Sequence, residues 1–567
     1  MDDSIRIALC QINPLVGDFD GNRAKIVDAY RQASDQGARV AVFPELALSG
    51  FPPQDLLLRN DFIATSEAQL AMLVTELDRD CTAVVGVPLW ALRSVFGYDA
   101  QVVDAVAVIR SGELELVTTK LDLSMDSALD DFRYFAPDVA LLEGFDSVRT
   151  GSEFEVDGWS FVVLVGVASH DSIIERVRDG RPTIVLNPTA TAYHTHSQGE
   201  RELYACEIHN DPDMSVVVVN GVGAQDELIF DGGSVVANGR GIAHRSARFE
   251  ETVDVVEIVS RSNASGGRRI LEVAGADPDT LRFSEGLGDL WSALVLGIRD
   301  YVAKNGFPGI LLGLSGGVDS ALVATLAADA IGPERVHAVL MPSRHSSDHS
   351  VDDANELAGN LGIDSRTIPI EPAHRAFEQM LSPSFEGLAP DLTEENLQAR
   401  VRGTTLMALS NKFGWLVLVT GNKSESSVGY STLYGDTAGG LAPIQDVDKT
   451  TVYELCRWYN QRCESEGSAA TIPVGIITKA PSAELRPGQR DDQSLPPYPL
   501  LDPMLKSIVE DEVTRDDLLR FGYQAELVDR ILGLVKRSEY KRRQSPPGLI
   551  VTERSPGFRR SLPITRR

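Results

Sequence analysis

The stretch GILLGLSGGVDSALVATLAADAIG, residues 309–332, restricts this chain more than any other part of it. A buried apolar run ends at Leu314, and a long run rich in alanine and leucine starts after Ser320. That pattern predicts a strand turning directly into a helix. Between them, Gly316 and Gly317 let the backbone approach an anion with no Cβ in the way. The helix start offers free N–H groups and a partial positive charge. Ser315 and Ser320 add hydroxyl donors, and the Asp319 carboxylate suits the Mg²⁺ that phosphates bring with them. SGG alone is a tight turn, with Asp319 or Ser320 capping the helix. SGGVDS set between a strand and a helix reads as a phosphate cradle. It is not the GxxxxGK[ST] loop of enzymes that cleave the β–γ bond.

A chain of 567 residues is too long for one ordinary core, so at least two domains are expected. The first half alternates short apolar runs (IRIALCQI, ARVAVFPEL, CTAVVGVPLW, QVVDAVAVIR, FVVLVGVAS, PTIVLNPTA and MSVVVVNGVG) with amphipathic stretches such as SEAQLAMLVTELDRD. These predict strands and helices in covered layers. Periodicity weakens around 258–287, where SRSNASGGRR reads as linker or loop. The expected division is 1–265, a linker at 266–284, and 285–567. The second part repeats an α/β pattern, with a helix at LGDLWSALVLGIRDYVAKN and strands at GILLGL, VHAVLMP and WLVLVTG. From about 500 it reads as helices and a basic tail.

The net charge of −29 argues against a nucleic-acid groove as the main site. A small anionic substrate remains compatible, since a local cluster of Lys and Arg outweighs a distant global charge. Cysteines at 10, 81, 206, 456 and 463 are odd in number and scattered, so neither a disulfide framework nor a zinc pattern is expected. The acidic start MDDSIRIALC does not fit a signal peptide, and no uninterrupted apolar run reaches transmembrane length. A reduced, cytoplasmic setting is the expectation.

The loop resembles the pyrophosphate loop of the ATP pyrophosphatases, which release AMP and pyrophosphate. MPSRHSSDHSVDDA, TEENLQARVRGTTLMALSNKFGWLVLVTGNKSE, GYSTLYGDTAGGLAPIQDVDKTTVYEL, APSAELRPGQRDDQSLPPY and EYKRRQSPPGL narrow the match. Together they are similar to the bacterial two-domain glutamine-dependent NAD⁺ synthetases, over nearly the whole chain and most specifically from about 285 onward. The resemblance implies a nitrilase-like α-β-β-α sandwich followed by a Rossmann-like ATP-pyrophosphatase domain of the adenine nucleotide alpha hydrolase type. It also implies ATP-dependent amidation of deamido-NAD⁺ through an adenylate. The implied ATP residues are Gly313, Leu314, Ser315, Gly316, Gly317, Val318, Asp319, Ser320, Thr420 and Lys449. Asp319 and Glu425 are the implied Mg²⁺ ligands, and Asn396, Arg400, Glu425 and Lys541 the implied deamido-NAD⁺ contacts. Taken singly, Arg400 and Lys449 are solvated surface charges and Glu425 a helix-start carboxylate. The segment 474–497 is expected to be a lid, and EYKRRQ to supply positive charge for phosphates. Homo-oligomerisation is implied as well.

For the first half, the resemblance implies a glutaminase with Cys as nucleophile, Glu as general base and Lys at the oxyanion. FPELALSGFPPQDLL puts Glu45 at the base and KLDLSMDSALDDFRYF puts Lys120 at the lysine. The cysteine belongs between that lysine and NPTATAYH, and this interval contains none. Ser169-His170-Asp171 is the nearest alignment for the family's Cys-Glu-Asp. The family's proline falls on Ser124, and the tyrosine and the lysine that touch glutamine in the family fall on Asp126 and Ser197. Adjacent residues on a strand point to opposite faces, so Ser169, His170 and Asp171 do not form a triad as written. Cys206 and Cys10 read as packing residues, and Glu45 with Lys120 as a surviving buried pair. The expectation is a synthetase fed by free or partner-supplied ammonia, with glutamine a doubtful partner. Two alternatives stand beside it: a glutamine-hydrolysing enzyme with another nucleophile, and a non-catalytic nucleotide-binding protein.

Overall fold

The computed structural model describes residues 4–92, 101–124, 129–136, 149–168, 183–208, 214–262, 269–275, 286–555, 560 and 562–565. The chain divides into two compact units, Met1–Ser284 and Glu285–Arg567.

The first unit is built on two sheets. Across the larger, the strands run Arg269–Val273, Thr252–Ser262, Ser4–Gln11, Val40–Val42, Thr82–Leu92, Gln101–Arg110, Glu113–Thr119 and Arg149–Thr150. Across the smaller they run Gly241–Arg245, Val235–Asn238, Met214–Asn220, Thr183–Thr189, Trp159–Val163 and Glu153–Val156. The runs VVDAVAVI and MSVVVVN are buried throughout, as strands covered on both faces must be. Ile7, Leu9, Val84 and Val106 of one sheet share a core with Phe161, Ile184, Leu186 and Val217 of the other. Helices Phe19–Asp35 and Asn60–Glu76 cover the larger sheet. Helix Ser197–Ile208 covers the smaller through Ala205 and Ile208. The layers are α-β-β-α.

Two local expectations change. Arg269–Val273, inside the stretch expected as linker, is an edge strand paired antiparallel with Thr252–Ser262. The strand expected to continue through FVVLVGVAS ends at Val163. Beyond it the backbone is still tethered, with Leu164 N donating to Leu186 O at 2.9 Å and Gly166 N to Pro188 O at 2.9 Å.

The second unit holds a four-stranded parallel sheet in the order Asp364–Thr367, Val336–Leu340, Ile310–Gly313, Leu416–Val417. Helix Val318–Ile331 is the crossover between the two middle strands. The chain then crosses to the far side, so Ile310–Gly313 has a neighbour from each direction of winding. Such a switch point leaves a crevice beyond the strands' carboxyl ends. The expected strand WLVLVTG is reduced to Leu416–Val417, with an isolated parallel bridge between Leu418 and Leu441 after it. Helices Tyr498–Val509, Arg515–Arg520 and Ala525–Arg537 close on a separate core containing Leu501, Leu505, Leu518, Val528 and Ile531. No helix among the described residues is long and apolar enough to cross a membrane.

Candidate active site

The SGGVDS loop leaves the central strand at Gly313 and enters the helix at Val318. Gly316 has φ +75, and a Cβ there would lie 2.1 Å from Ser350 O, so only glycine fits. Ser315 N donates to Ser320 Oγ at 3.2 Å, Gly317 N to Ser315 Oγ at 3.2 Å, and Ser320 Oγ to Gly317 O at 3.0 Å. Both hydroxyls thus brace the loop. Gly313, Leu314, Ser315, Gly317, Val318 and Asp319 line a cavity of ≈ 650 Å³, together with Thr420, Glu425 and Lys449. Gly316 and the buried Ser320 are not on its wall.

Lys449 is the node of this cavity. It opens the helix Lys449–Ser465, is 3% exposed, and donates to Asp319 at 2.5 Å and Glu425 at 3.0 Å. Burial opposes its charge, but the two carboxylates outweigh burial and hold its pKa above the usual range. Burial pushes Glu425 up to about 7, Lys449 pulling it down and Asp319 adding to the rise. Asn422, the cap of helix Lys423–Val428, donates to Asp319 Oδ1 at 2.9 Å and accepts from Glu425 N at 3.0 Å. It joins the TGNKSE segment to the SGGVDS loop, a role the sequence reading did not assign.

Residues 479–486 and 488–491, within the expected lid, line the same cavity. Glu484 accepts from Ser347 Oγ at 2.7 Å and Ser350 Oγ at 2.8 Å. Lys479 donates to Ser350 Oγ at 3.1 Å and is paired with Asp353 at 3.2 Å. Arg402 is a second residue that the reading missed. It lies on the cavity wall with Nε donating to Met341 O at 3.1 Å, and burial pushes its pKa down to about 10 against the pull of Glu484 and Asp436. A signal existed, because Arg402 falls on the stripe of Ala399, Gly403 and Leu406, the buried face of its helix.

The other implied contacts gather elsewhere, around the loop 429–436. Asn396 accepts from Thr432 Oγ1 at 2.7 Å, and exposed Arg400 donates to Leu433 O at 3.3 Å. Lys541 Nζ donates to Gly429 O at 2.8 Å and Ser431 O at 2.6 Å. None of the three lines the cavity, though Asp436, at the end of that loop, does. The expected positive charge of EYKRRQ is spent locally: Arg542 is buried against Ser427 O and Glu539, and Arg543 also binds Glu539.

In the first unit, Glu45 and Lys120 do meet. Lys120 Nζ donates to Glu45 Oε1 at 2.8 Å and stands 2.9 Å from Asp131 and 4.0 Å from Asp104. Ala190 N holds the other Glu45 oxygen at 3.0 Å. All four side chains are buried. Burial and then Glu45 push Asp104 well above the usual carboxylate range, so it keeps its proton. Burial works against the charge of Glu45 as well, but Lys120 draws it below its usual value. Gly166 faces this pair with φ +66; a Cβ on it would lie 2.6 Å from Lys120 Cε, 2.9 Å from Lys120 Nζ and 3.1 Å from Glu45 Oε1. Ser169, His170, Asp171 and Asp126 lie outside the described residues. Ser124 N donates to Asp131 at 3.0 Å, and Ser197 is buried with its hydroxyl unpartnered among the described residues. Cys10 is buried in a strand and Cys206 half-buried on a helix, and burial raises both thiols.

Residues 290–545 match the NAD synthase family model, and residues 6–138 match that of the carbon-nitrogen hydrolases. The chain is 38% identical to the glutamine-dependent NAD(+) synthetase of Thermotoga maritima, covering 99% of both chains. It is 40% identical to that of Synechocystis, covering 98% of both. The solved glutamine-dependent NAD⁺ synthetase from Acinetobacter baumannii, in complex with ADP, superposes with a TM-score of 0.72 at 35% identity, over 99% of this chain and 98% of that one. With identity of this order over nearly all of both chains, and a nitrilase-like unit followed by an ATP-pyrophosphatase unit, the chain belongs to the family of the glutamine-dependent NAD⁺ synthetases.

Proposed function

We propose that the chain amidates deamido-NAD⁺ to NAD⁺ at the expense of ATP, with ammonia as the nitrogen donor. A carboxylate is a poor electrophile, so one nicotinate oxygen first attacks the α-phosphorus of ATP and pyrophosphate leaves. Ammonia then attacks the acyl carbon of the adenylate, and AMP leaves with its oxygen. The observation that carries this reading is Lys449, buried in the cavity and within 3.0 Å of both Asp319 and Glu425 beside the phosphate loop. Loop N–H groups and Lys449 stabilise charge that builds on the leaving pyrophosphate. Two carboxylates that converge on one ammonium are hard oxygen donors of the kind Mg²⁺ takes, so Asp319 and Glu425 would hold it. When bound, the ion adds positive charge at the phosphates. Asn396, Arg400 and Lys541 are assigned to the dinucleotide through the loop 429–436, whose Asp436 reaches the cavity. Residues 479–491 exclude water, which would otherwise consume the adenylate.

Ammonia is favoured over glutamine because the interval between Lys120 and Asn187 contains no cysteine, and the thiols of Cys10 and Cys206 are raised by burial rather than activated. Against it stand the relatives' names, which favour a glutamine-hydrolysing enzyme with a different nucleophile. Pyrophosphate and NAD⁺ formation are compared with ammonium chloride and with glutamine. Ammonium is expected to support turnover and glutamine to add nothing. Glutamine-driven turnover lost in Lys120→Ala would replace this reading with the second. No pyrophosphate from either donor would leave a nucleotide-binding protein without synthetase activity.

A further inference from the structure

We propose that Gly166 stands at the point from which the lost nucleophile was presented, and that Lys120 has folded into the space its side chain would fill. The site would then be a latent acyl-transfer centre lacking one side chain. This rests on the reading that the first unit hydrolyses no glutamine.

Three observations converge on Gly166. Its missing side chain is aimed at the base and the ammonium together: a Cβ would be 3.1 Å from Glu45 Oε1 and 2.9 Å from Lys120 Nζ. A turn glycine chosen only for its left-handed backbone has no reason to aim its open hydrogen at two buried charged groups. The turn is also held on every side. Gly166 N donates to Pro188 O at 2.9 Å, Asn187 Nδ2 donates to Gly166 O at 2.7 Å, and Ala168 N donates to Tyr204 Oη at 2.9 Å. Functional groups are presented reproducibly from turns fixed in this way. The third observation is the cluster itself. Glu45 is held anionic by Lys120, while the neighbouring Asp104 stays protonated. A buried anionic carboxylate beside an ammonium is the arrangement that removes a proton from a thiol and then stabilises an oxyanion. The atoms in the way, Lys120 Cε and Nζ, are the end of a flexible chain, so the space for a small side chain at 166 opens if the lysine swings aside, and the cost left is the backbone strain of a non-glycine residue at φ +66.

Gly166→Cys in the full chain is therefore expected to acquire a reactive thiol. With p-nitrophenyl acetate, the thiol proton passes to Glu45, sulfur bonds to the acetyl carbon, and the ester C–O bond breaks to release p-nitrophenolate. Position 166 is left as an acetyl thioester, which mass spectrometry of the digested protein locates. Val167→Cys, on the exposed neighbour, is the control for accessibility without the cluster. Adding Glu45→Gln is expected to slow Gly166→Cys by at least about tenfold and to leave Val167→Cys unchanged. If Gly166→Cys does not fold in buffer alone, it is refolded in trimethylamine N-oxide, which favours burial, and goes through the same assay with Lys120 in place. Folded protein with an acetylation rate at 166 that ignores Glu45 overturns the proposal. So does failure to fold under both conditions, because the turn would then not present a side chain at all. Glutamine-driven turnover by the unmodified chain would sink the loss of glutaminase activity while leaving the Gly166→Cys result to be read on its own.

Discussion

One ammonium, Lys449, holds two carboxylates that the proposed reaction needs close together. Lys449→Ala is expected to lower pyrophosphate release with deamido-NAD⁺ and ammonium by about 10²-fold or more. Gly316→Ala sets a methyl group 2.1 Å from Ser350 O at φ +75. It should cost more than about 2 kcal/mol of stability and abolish ATP binding, read by thermal melts with and without ATP. Glu425 makes a pH prediction with a definite sign. Its pKa is about 7 in the fold against an ordinary 4.5, so between those values the folded chain holds a proton that the unfolded chain has released. Its contribution therefore falls as pH rises from about 4.5 to about 7. Denaturant titrations of the apo chain and of Glu425→Gln should diverge over that window by ~2–3 kcal/mol, the unmodified chain losing ground. Single residues also show where the sequence stopped being readable. Lys449, Asp319 and Glu425 sit in recognisable segments and do converge, whereas Arg402 was not singled out in the sequence and takes its place only on the cavity wall.

At the level of elements, the strand–loop–helix unit 310–331 formed as the alternation of apolar run, glycines and helix formers demands. The strand after Trp159 did not run as far as its apolar character suggested, because the backbone turns at Gly166 while still bonded to Pro188. Apolar content reports burial and not extended geometry, so the residues LVGVA carry the same signal in a turn as in a strand. The segment 479–491 is held partly through Glu484, which ties it to Ser347 and Ser350, and partly through Lys479, which ties it to Ser350 and Asp353. Glu484→Ala should loosen that hold and let water reach the adenylate. The ratio of AMP to NAD⁺ formed should rise severalfold above one, measured by chromatography of the products, while ATP binding changes little.

Across the whole molecule, Asp and Glu outnumber Lys and Arg by 82 to 53, yet the cavity does not share that excess. Arg402, Lys449, Lys479, Arg486 and Arg490 face Asp319, Glu425, Asp436, Glu484 and Asp491 there. The cavity wall is thus locally balanced in charge on an acidic protein. Each unit has its own sheets and its own core, so a fragment starting at residue 286 is expected to fold and to keep ammonium-driven pyrophosphate release within about threefold of the full chain. Loss of that activity in a folded fragment would show that the first unit supports the synthetase site. The sequence by itself determined the two-unit architecture, the strand–loop–helix unit at 310–331 and the family, since each is written in contiguous residues whose local chemistry admits few structures. Only the tertiary structure decided which residues share a cavity, that Asn396, Arg400 and Lys541 gather on a loop beside it, and that Gly166 faces Glu45 and Lys120. Those facts depend on segments far apart in the chain meeting through packing, and on the direction in which a side chain, or the place of an absent one, points.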